Sequence, residues 1–187
     1  MSEVARFEPH EILLRLRDAG VRFVVIGGLA AQAHGSPSLT RDLDVCFATD
    51  RENLRALATV LTAINAVRRG LPVDAPRMPP LDDRTLRASS LFTLTTAFGD
   101  FDLLAAPDPD LDYPGLMANS LRAPVFGIEV DVASLDDLIA MKRAAGRPKD
   151  RIELEVLGAL REEIDRRQTP SRRGRPSGPR STRPENP

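Results

Sequence analysis

The sequence predicts a mixed α/β (α+β) fold: one domain in which a mixed β-sheet is flanked by helices. Three observations predict it. Apolar residues recur at helical spacing in several stretches, and short β-branched or alternating runs stand between those stretches. The resulting order, α-β-α-β-α-β-β-α-β-α-α, indicates a mixed sheet with helices packed on it. The length of 187 residues suits a single compact domain with a real core.

In the first helix, near Pro9–Ala19, Ile12, Leu13 and Leu16 fall on one face, and Gly20 stops it. Arg22–Ile26 is a short β-branched strand stopped by Gly27-Gly28, and Leu29–His34 reads as a short helix closed by Gly35. A second strand covers Leu43–Ala48. Asp50 is placed to cap a long helix over Arg51–Arg69, striped by Leu54, Leu57, Leu61 and Ile64. The Pro- and Asp-rich stretch Gly70–Asp83 reads as a loop. Strands near Ser90–Thr95 and Asp100–Leu104 form a hairpin around Phe98-Gly99. A short helix near Leu116–Leu121 and a strand at Ile128–Val132 follow. Ser134, with Asp137 three residues on, caps a helix over Leu135–Ala145, and a last helix runs from about Lys149 to Arg166.

Composition narrows the class of protein. Hydrophobic residues make up 42% but aromatics only 4%, with no Trp, so the core must be aliphatic. No apolar run approaches the ~20 residues of a membrane span. The start, MSEVARFEPHE, lacks the features of a secretory signal. A single cysteine, Cys46, excludes an intramolecular disulfide; together these point to a cytoplasmic protein in a reducing compartment. Residues Thr169–Pro187 hold five Arg, five Pro and one Glu, a charge of +4, which leaves −5 for residues 1–168. That tail has almost nothing to bury and reads as disordered. Its arginines could touch nucleic acid or another anion, although a solvated extension is the simpler reading. The acidic body argues against a dedicated nucleic-acid surface on the fold itself.

The chemistry concentrates in Val24–Val45, VVIGGLAAQAHGSPSLTRDLDV. A buried strand ends in Gly27-Gly28 and opens into a helix, which lets the backbone approach a ligand and turns N–H groups toward a phosphate. A tight strand-to-helix turn would look the same. Asp42 and Asp44, one residue apart in an apolar strand, point to the same face and repel each other unless a divalent cation such as Mg²⁺ lies between them. The alternative is a pair of solvent-facing aspartates, which fits less well because Leu43, Val45 and Phe47 mark the opposite face as core. Two-metal phosphoryl transfer needs a third carboxylate nearby. Asp102 in GDFDLL is favoured over Asp100, which sits at the turn after Gly99, and Asp131 is the competing candidate. Among 26 cationic side chains only Lys142 and Lys149 are lysines, both in MKRAAGRPKD, where an ammonium group suits phosphate binding. Chance clustering is the competing explanation. His10, His34 and Cys46 are too dispersed for a zinc site; His34 is expected to pack or cap, and Cys46 to be a small buried residue.

These segments together, a hydrophobic strand ending in Gly-Gly, then TRDLDV, an Asp-bearing strand and DLIAMKRAAGRPKD, resemble the DNA-polymerase-β-like nucleotidyltransferase superfamily. The chain looks closest to the small bacterial AbiEii-type toxin nucleotidyltransferases, over roughly Val21–Leu160. The resemblance implies a nucleotidyltransferase fold in which Gly27 and Gly28 hold the triphosphate. Asp42 and Asp44 would bind Mg²⁺ (or Mn²⁺), and Asp102 would complete the metal site and act as base. Thr40, Arg41, Lys142, Lys149 and the charged cluster ending in Asp150 would serve the nucleotide. Similar sequences often carry an Arg two residues before the Thr of TxDLD; here Ser38 stands there, and Arg41 lies between Thr40 and Asp42.

The expected function is therefore transfer of a nucleoside monophosphate from an NTP to a hydroxyl on RNA (tRNA included), a partner protein or a small molecule. The alternative is a toxin–antitoxin partner acting mainly as a binding module on the same fold. A two-metal nuclease fits the glycine pair and the lysine segment poorly.

Overall fold

The computed structural model describes residues 7–70, 79–108 and 110–168, with the side chains of Lys149 and Gln168 excepted. The expectations for residues 1–6, for most of the 70–83 loop and for the 169–187 tail lie outside the described residues.

Helix α1 (Pro9–Asp18) starts on a proline whose missing N–H costs nothing at that position, and it buries Ile12, Leu13 and Leu16 completely. Strand β1 (Phe23–Ile26) is buried along its whole length and runs directly into α2 (Gly27–Ala33). After the 34–41 loop, β2 (Asp42–Phe47) leads to α3 (Arg51–Ala63), where Asp50 accepts from the Asn53 N–H as the expected cap. The expected continuation of this helix to Arg69 does not occur. Asn65 takes a left-handed φ of 53°, and Val67–Arg68 (β3) instead pairs antiparallel with the strand Leu91–Thr96 (β4).

A short helix not read from the sequence, α4 (Asp83–Arg87), is capped by Asp82 and buries Leu86. β4 and β5 (Gly99–Leu104) form the expected hairpin through Ala97-Phe98. Helix α5 (Tyr113–Asn119) starts before Leu116, because Asp112 caps it, and ends before Leu121. Leu121 opens another unexpected strand, β6 (Leu121–Val125), which pairs antiparallel with β7 (Ile128–Val132). Pro124 is tolerated there because β6 is an edge of the sheet. Helix α6 (Leu135–Ala145) is capped by Ser134, whose hydroxyl accepts from the Asp137 N–H, and closes on Gly146 in the left-handed region. Helix α7 (Pro148–Gln168) packs against α6.

The seven strands form one mixed sheet in the order β3-β4-β5-β2-β1-β7-β6. Only β2 with β5 and β1 with β7 are parallel pairs; the rest are antiparallel. Leu43, Val45 and Phe47 of β2 and Phe101 and Leu103 of β5 are fully buried, so the core face of these two strands is aliphatic apart from two phenylalanines. Their polar residues are left to the opposite face. No helix among the described residues is long and apolar enough to cross a membrane.

Candidate active site

The parallel register of β2 and β5 sets Asp42 opposite Asp100 and Asp44 opposite Asp102, so four carboxylates share one face of two adjacent strands. Oxygen atoms of Asp42, Asp44 and Asp102 all lie within 4.8 Å of one another. These are the three residues expected to converge. Asp131 is not among them: it lies on β7, two strands from β2, and pairs with Arg122 at 3.0 Å.

The glycines make this arrangement possible. Gly27 has a φ of +64°, and a β-carbon there would stand 2.1 Å from Asp44 Oδ2. A β-carbon on Gly28 would meet Thr40 Cβ at 2.6 Å. Thr40 in turn donates its hydroxyl to Asp42 Oδ1, so the glycine pair, the threonine and the aspartates interlock. The donor set fits a hard divalent cation: three carboxylate oxygens, held by rigid strands, beside a backbone that leaves them room.

A cleft of about 490 Å³ opens over this face. Its lining includes the three aspartates with Gly27, Gly28, Thr40 and Arg41, and on the α6–α7 side Lys142 and Arg147. Lys142 is largely enclosed; its Nζ pairs with Glu153 and lies 3.5 Å from Asp150 Oδ1. Asp150 is completely buried beneath these cations. The Arg147 N–H and Nε both donate to its Oδ2, at 3.0 and 2.8 Å. The hydrogen bonds from Arg147, with the charge of Lys142 beside them, hold the Asp150 carboxyl down to about 2. Lys149 falls in the first turn of α7, and its side chain lies outside the described residues.

Two cleft residues escaped the sequence reading. Arg147 sits inside the very segment singled out for its lysines, yet nothing distinguished it from the other arginines. Arg69 carried no signal at all, being the expected end of a helix. It follows β3, and its Nη1 donates to Asp100 while its Nη2 donates to Asp102. Burial draws the Arg69 guanidinium down, but the Asp100 hydrogen bond and the charges of Asp102, Asp100 and Asp42 outweigh it, and the balance is upward. Burial likewise raises the Asp102 carboxyl; the Arg69 charge opposes that rise and the Asp42 charge reinforces it.

His34 and Cys46 take structural places. His34 ends α2, and its Nε2 hydrogen-bonds the Ala133 carbonyl at 2.8 Å. Cys46 is fully buried, and burial pushes its thiol up to about 12.

No family model matches the chain, and no curated protein matches its sequence. Solved structures do match in shape. A Thermotoga maritima protein proposed to be a nucleotidyltransferase aligns at a TM-score of 0.51 and 16% identity, over 84% of this chain and 91% of its own. ANT(2″)-Ia in complex with adenylyl-2″-tobramycin aligns at 0.52 and 16% identity, over 86% and 97%. The solution structure of the same antibiotic-resistance factor aligns at 0.51 and 16%, over 86% and 90%. In shape, a mixed seven-stranded sheet flanked by helices, the chain has the nucleotidyltransferase fold.

Proposed function

We propose that the protein is a divalent-metal-dependent nucleotidyltransferase that moves a nucleoside monophosphate from an NTP to a hydroxyl acceptor. The observation that carries this reading is the convergence of Asp42, Asp44 and Asp102 at the floor of a cleft also lined by Gly27, Gly28, Lys142 and Arg147. Carboxylates that close repel unless a cation joins them, and cationic groups facing them across a cleft suit a polyanionic substrate.

Asp42, Asp44 and Asp102 would hold Mg²⁺ or Mn²⁺, which would supply positive charge against the triphosphate and the leaving pyrophosphate. The chain's own residues account for the rest. Gly27 and Gly28 line the cleft, and their backbone would meet the triphosphate there. Lys142, Arg147 and Arg41 hold phosphate oxygens, and Lys149 adds a cation at the start of α7. Buried Asp150 aims Lys142 and Arg147. Asp102, whose carboxyl is raised by burial, accepts the proton of the acceptor hydroxyl. The new oxygen–phosphorus bond forms at the α-phosphate as the bond to the β-phosphate bridge breaks, and pyrophosphate departs.

The acceptor is a hydroxyl on RNA, a partner protein or a small molecule. Adenylyl-2″-tobramycin, bound by one structural neighbour, is a small molecule carrying such a transferred group. Within the superfamily, the TRDLDV and DLIAMKRAAGRPKD segments favour an AbiEii-type protein, and with it a toxin or antitoxin partner. Titration calorimetry with Mg²⁺ and each NTP, on the wild type and on the Asp42→Ala/Asp44→Ala double variant, tests the proposal. Metal-dependent NTP binding lost in the variant supports it; no such binding by the wild type defeats it. Incubation with labelled NTPs, total RNA and co-purifying proteins then identifies the acceptor. A pure binding module would keep its partner after loss of both aspartates.

A further inference from the structure

Asp100 poses a question that the nucleotidyltransferase reading leaves open. It stands in register with Asp42, on the same face, yet it is not part of the trio that could hold a metal. A fourth carboxylate placed there only adds repulsion unless it has a task of its own. Its partners show one: Thr95 Oγ1 donates to its Oδ1 at 2.9 Å, and Arg69 Nη1 donates to its Oδ2. Asp100 thus moors one prong of the Arg69 fork, while the other prong, Nη2, lies on Asp102 Oδ1 inside the trio. The backbone behind the guanidinium is fixed as well, because the Arg69 N–H donates to the Thr93 carbonyl at 2.9 Å.

We propose that Arg69 is a built-in counter-ion of the carboxylate site, which competes with the divalent cation for Asp102 and yields to it when metal and nucleotide bind. The proposal rests on the metal-dependent transferase reading. A guanidinium and a metal ion cannot both neutralise the same carboxylate at full strength, so each weakens the other's hold. The fork divides the roles. The Asp100 prong keeps Arg69 at the cleft wall, and the Asp102 prong exchanges. Once released, that prong faces the cleft where the phosphates would lie, so the positive charge stays in the site. Without metal the same contact screens four adjacent carboxylates and steadies the empty sheet face.

The test is a titration with Mn²⁺ alone, followed by the paramagnetic resonance of the free ion, on the full chain and its variants, with unfolding temperatures measured with and without Mn²⁺. Arg69→Ala is expected to bind Mn²⁺ more tightly, on the order of tenfold, because a unit positive charge has left the site. Its metal-free form should melt lower than the wild type, and Mn²⁺ should restore most of the loss. Arg69→Gln, which keeps length and hydrogen bonding but not charge, should move the same way and guards against a folding defect in the alanine variant. Arg69→Lys, which keeps the charge but cannot fork across both carboxylates, should fall between. Wild-type Mn²⁺ binding that disappears in Asp42→Ala/Asp44→Ala, but is unchanged or weaker in Arg69→Ala and Arg69→Gln, overturns the exchange while leaving the transferase reading intact. Absence of Mn²⁺ binding by every form overturns both.

Discussion

Asp44 Oδ2 occupies the space that a β-carbon on residue 27 would need, 2.1 Å from where that carbon would sit. The backbone of Gly27 and the carboxylate of Asp44 are therefore two halves of one feature. Gly27→Ala must both adopt a positive φ, at about 1–2 kcal/mol, and turn Asp44 out of its rotamer. We expect its Mn²⁺ affinity to fall about tenfold or more, with the melting temperature lowered by several degrees. Gly28→Ala meets Thr40 instead and carries no positive-φ penalty, so it should disturb Asp42 through Thr40 at a smaller cost in stability. Equal metal affinity in wild type and Gly27→Ala would refute the interlock.

Asp102→Asn separates catalysis from folding. Burial, with the Asp42 charge, disfavours the ionised carboxyl in the folded chain more than the Arg69 charge favours it, so removing that charge relieves the fold on balance. Arg69 can still donate to the amide oxygen. Turnover is expected to drop about 10²- to 10⁴-fold, the usual range for loss of a positioned base, while the melting temperature stays level or rises. A variant that turns over normally removes Asp102 from the chemistry.

Asp150 gives a pH dependence of defined sign. Its folded-state carboxyl is held at about 2, against an ordinary value of 3.8, first by the Arg147 hydrogen bonds. A depressed carboxyl stabilises the fold at pH values above 3.8, and that contribution fades as the pH falls from 3.8 toward 2. Asp150→Asn should thus melt lower than the wild type at pH 6, with the gap narrowing in that acidic window. Its apparent affinity for NTP should weaken too, since Lys142 and Arg147 lose their anchor. A gap independent of pH would show that packing, not charge, is what the carboxylate contributes.

How much of this was legible in the sequence depends on the distance over which each signal acts. The aspartates of β2 and β5 could be placed on one face because period-two alternation is local: Leu43 and Val45 against Asp42 and Asp44, Phe101 and Leu103 against Asp100 and Asp102. That the two strands lie side by side is not local, and the need for a third carboxylate is what suggests it; their parallel register has no local signal at all. Arg69 shows the limit. Its place follows from β3, a strand of two residues that comes directly after α3, and nothing in the apolar stripe ending at Ile64 announces the left-handed turn at Asn65 between them. Strand β6 was hidden by Pro124, which speaks against a strand unless the strand is known to be an edge.

Cys46 offers a probe of the sheet behind the site. It lies on β2 two residues beyond Asp44, fully buried, its Sγ 3.6 Å from the Ala105 carbonyl, and burial pushes its thiol up to about 12. At pH 8 the folded protein should not react with a thiol-specific reagent, whereas the urea-unfolded chain should react fully. Rapid labelling of the native protein would mean that β2 opens readily.

Asn53 joins the start of β1 to the end of β2 without belonging to either. Its Oδ1 accepts from the Arg22 N–H at 2.6 Å, and its Nδ2 donates to the carbonyls of Arg22 and Ala48 at 3.1 and 2.7 Å. The side chain is 2% exposed, so water cannot take over these bonds. Asn53→Ala should destabilise by about 2–4 kcal/mol, because the Arg22 N–H and the Ala48 carbonyl lose this partner in a closed site and the Arg22 carbonyl is left with the Ala48 N–H alone. Asn53→Asp keeps the shape and the acceptor for Arg22, but it sets a carboxylate oxygen against two carbonyls. It should therefore be at least as damaging, and more so at pH 7 than at pH 4, where protonation restores a donor. Urea unfolding at the two pH values measures both. Were Asn53→Asp as stable as the wild type at neutral pH, the amide could not be what ties the two strands together.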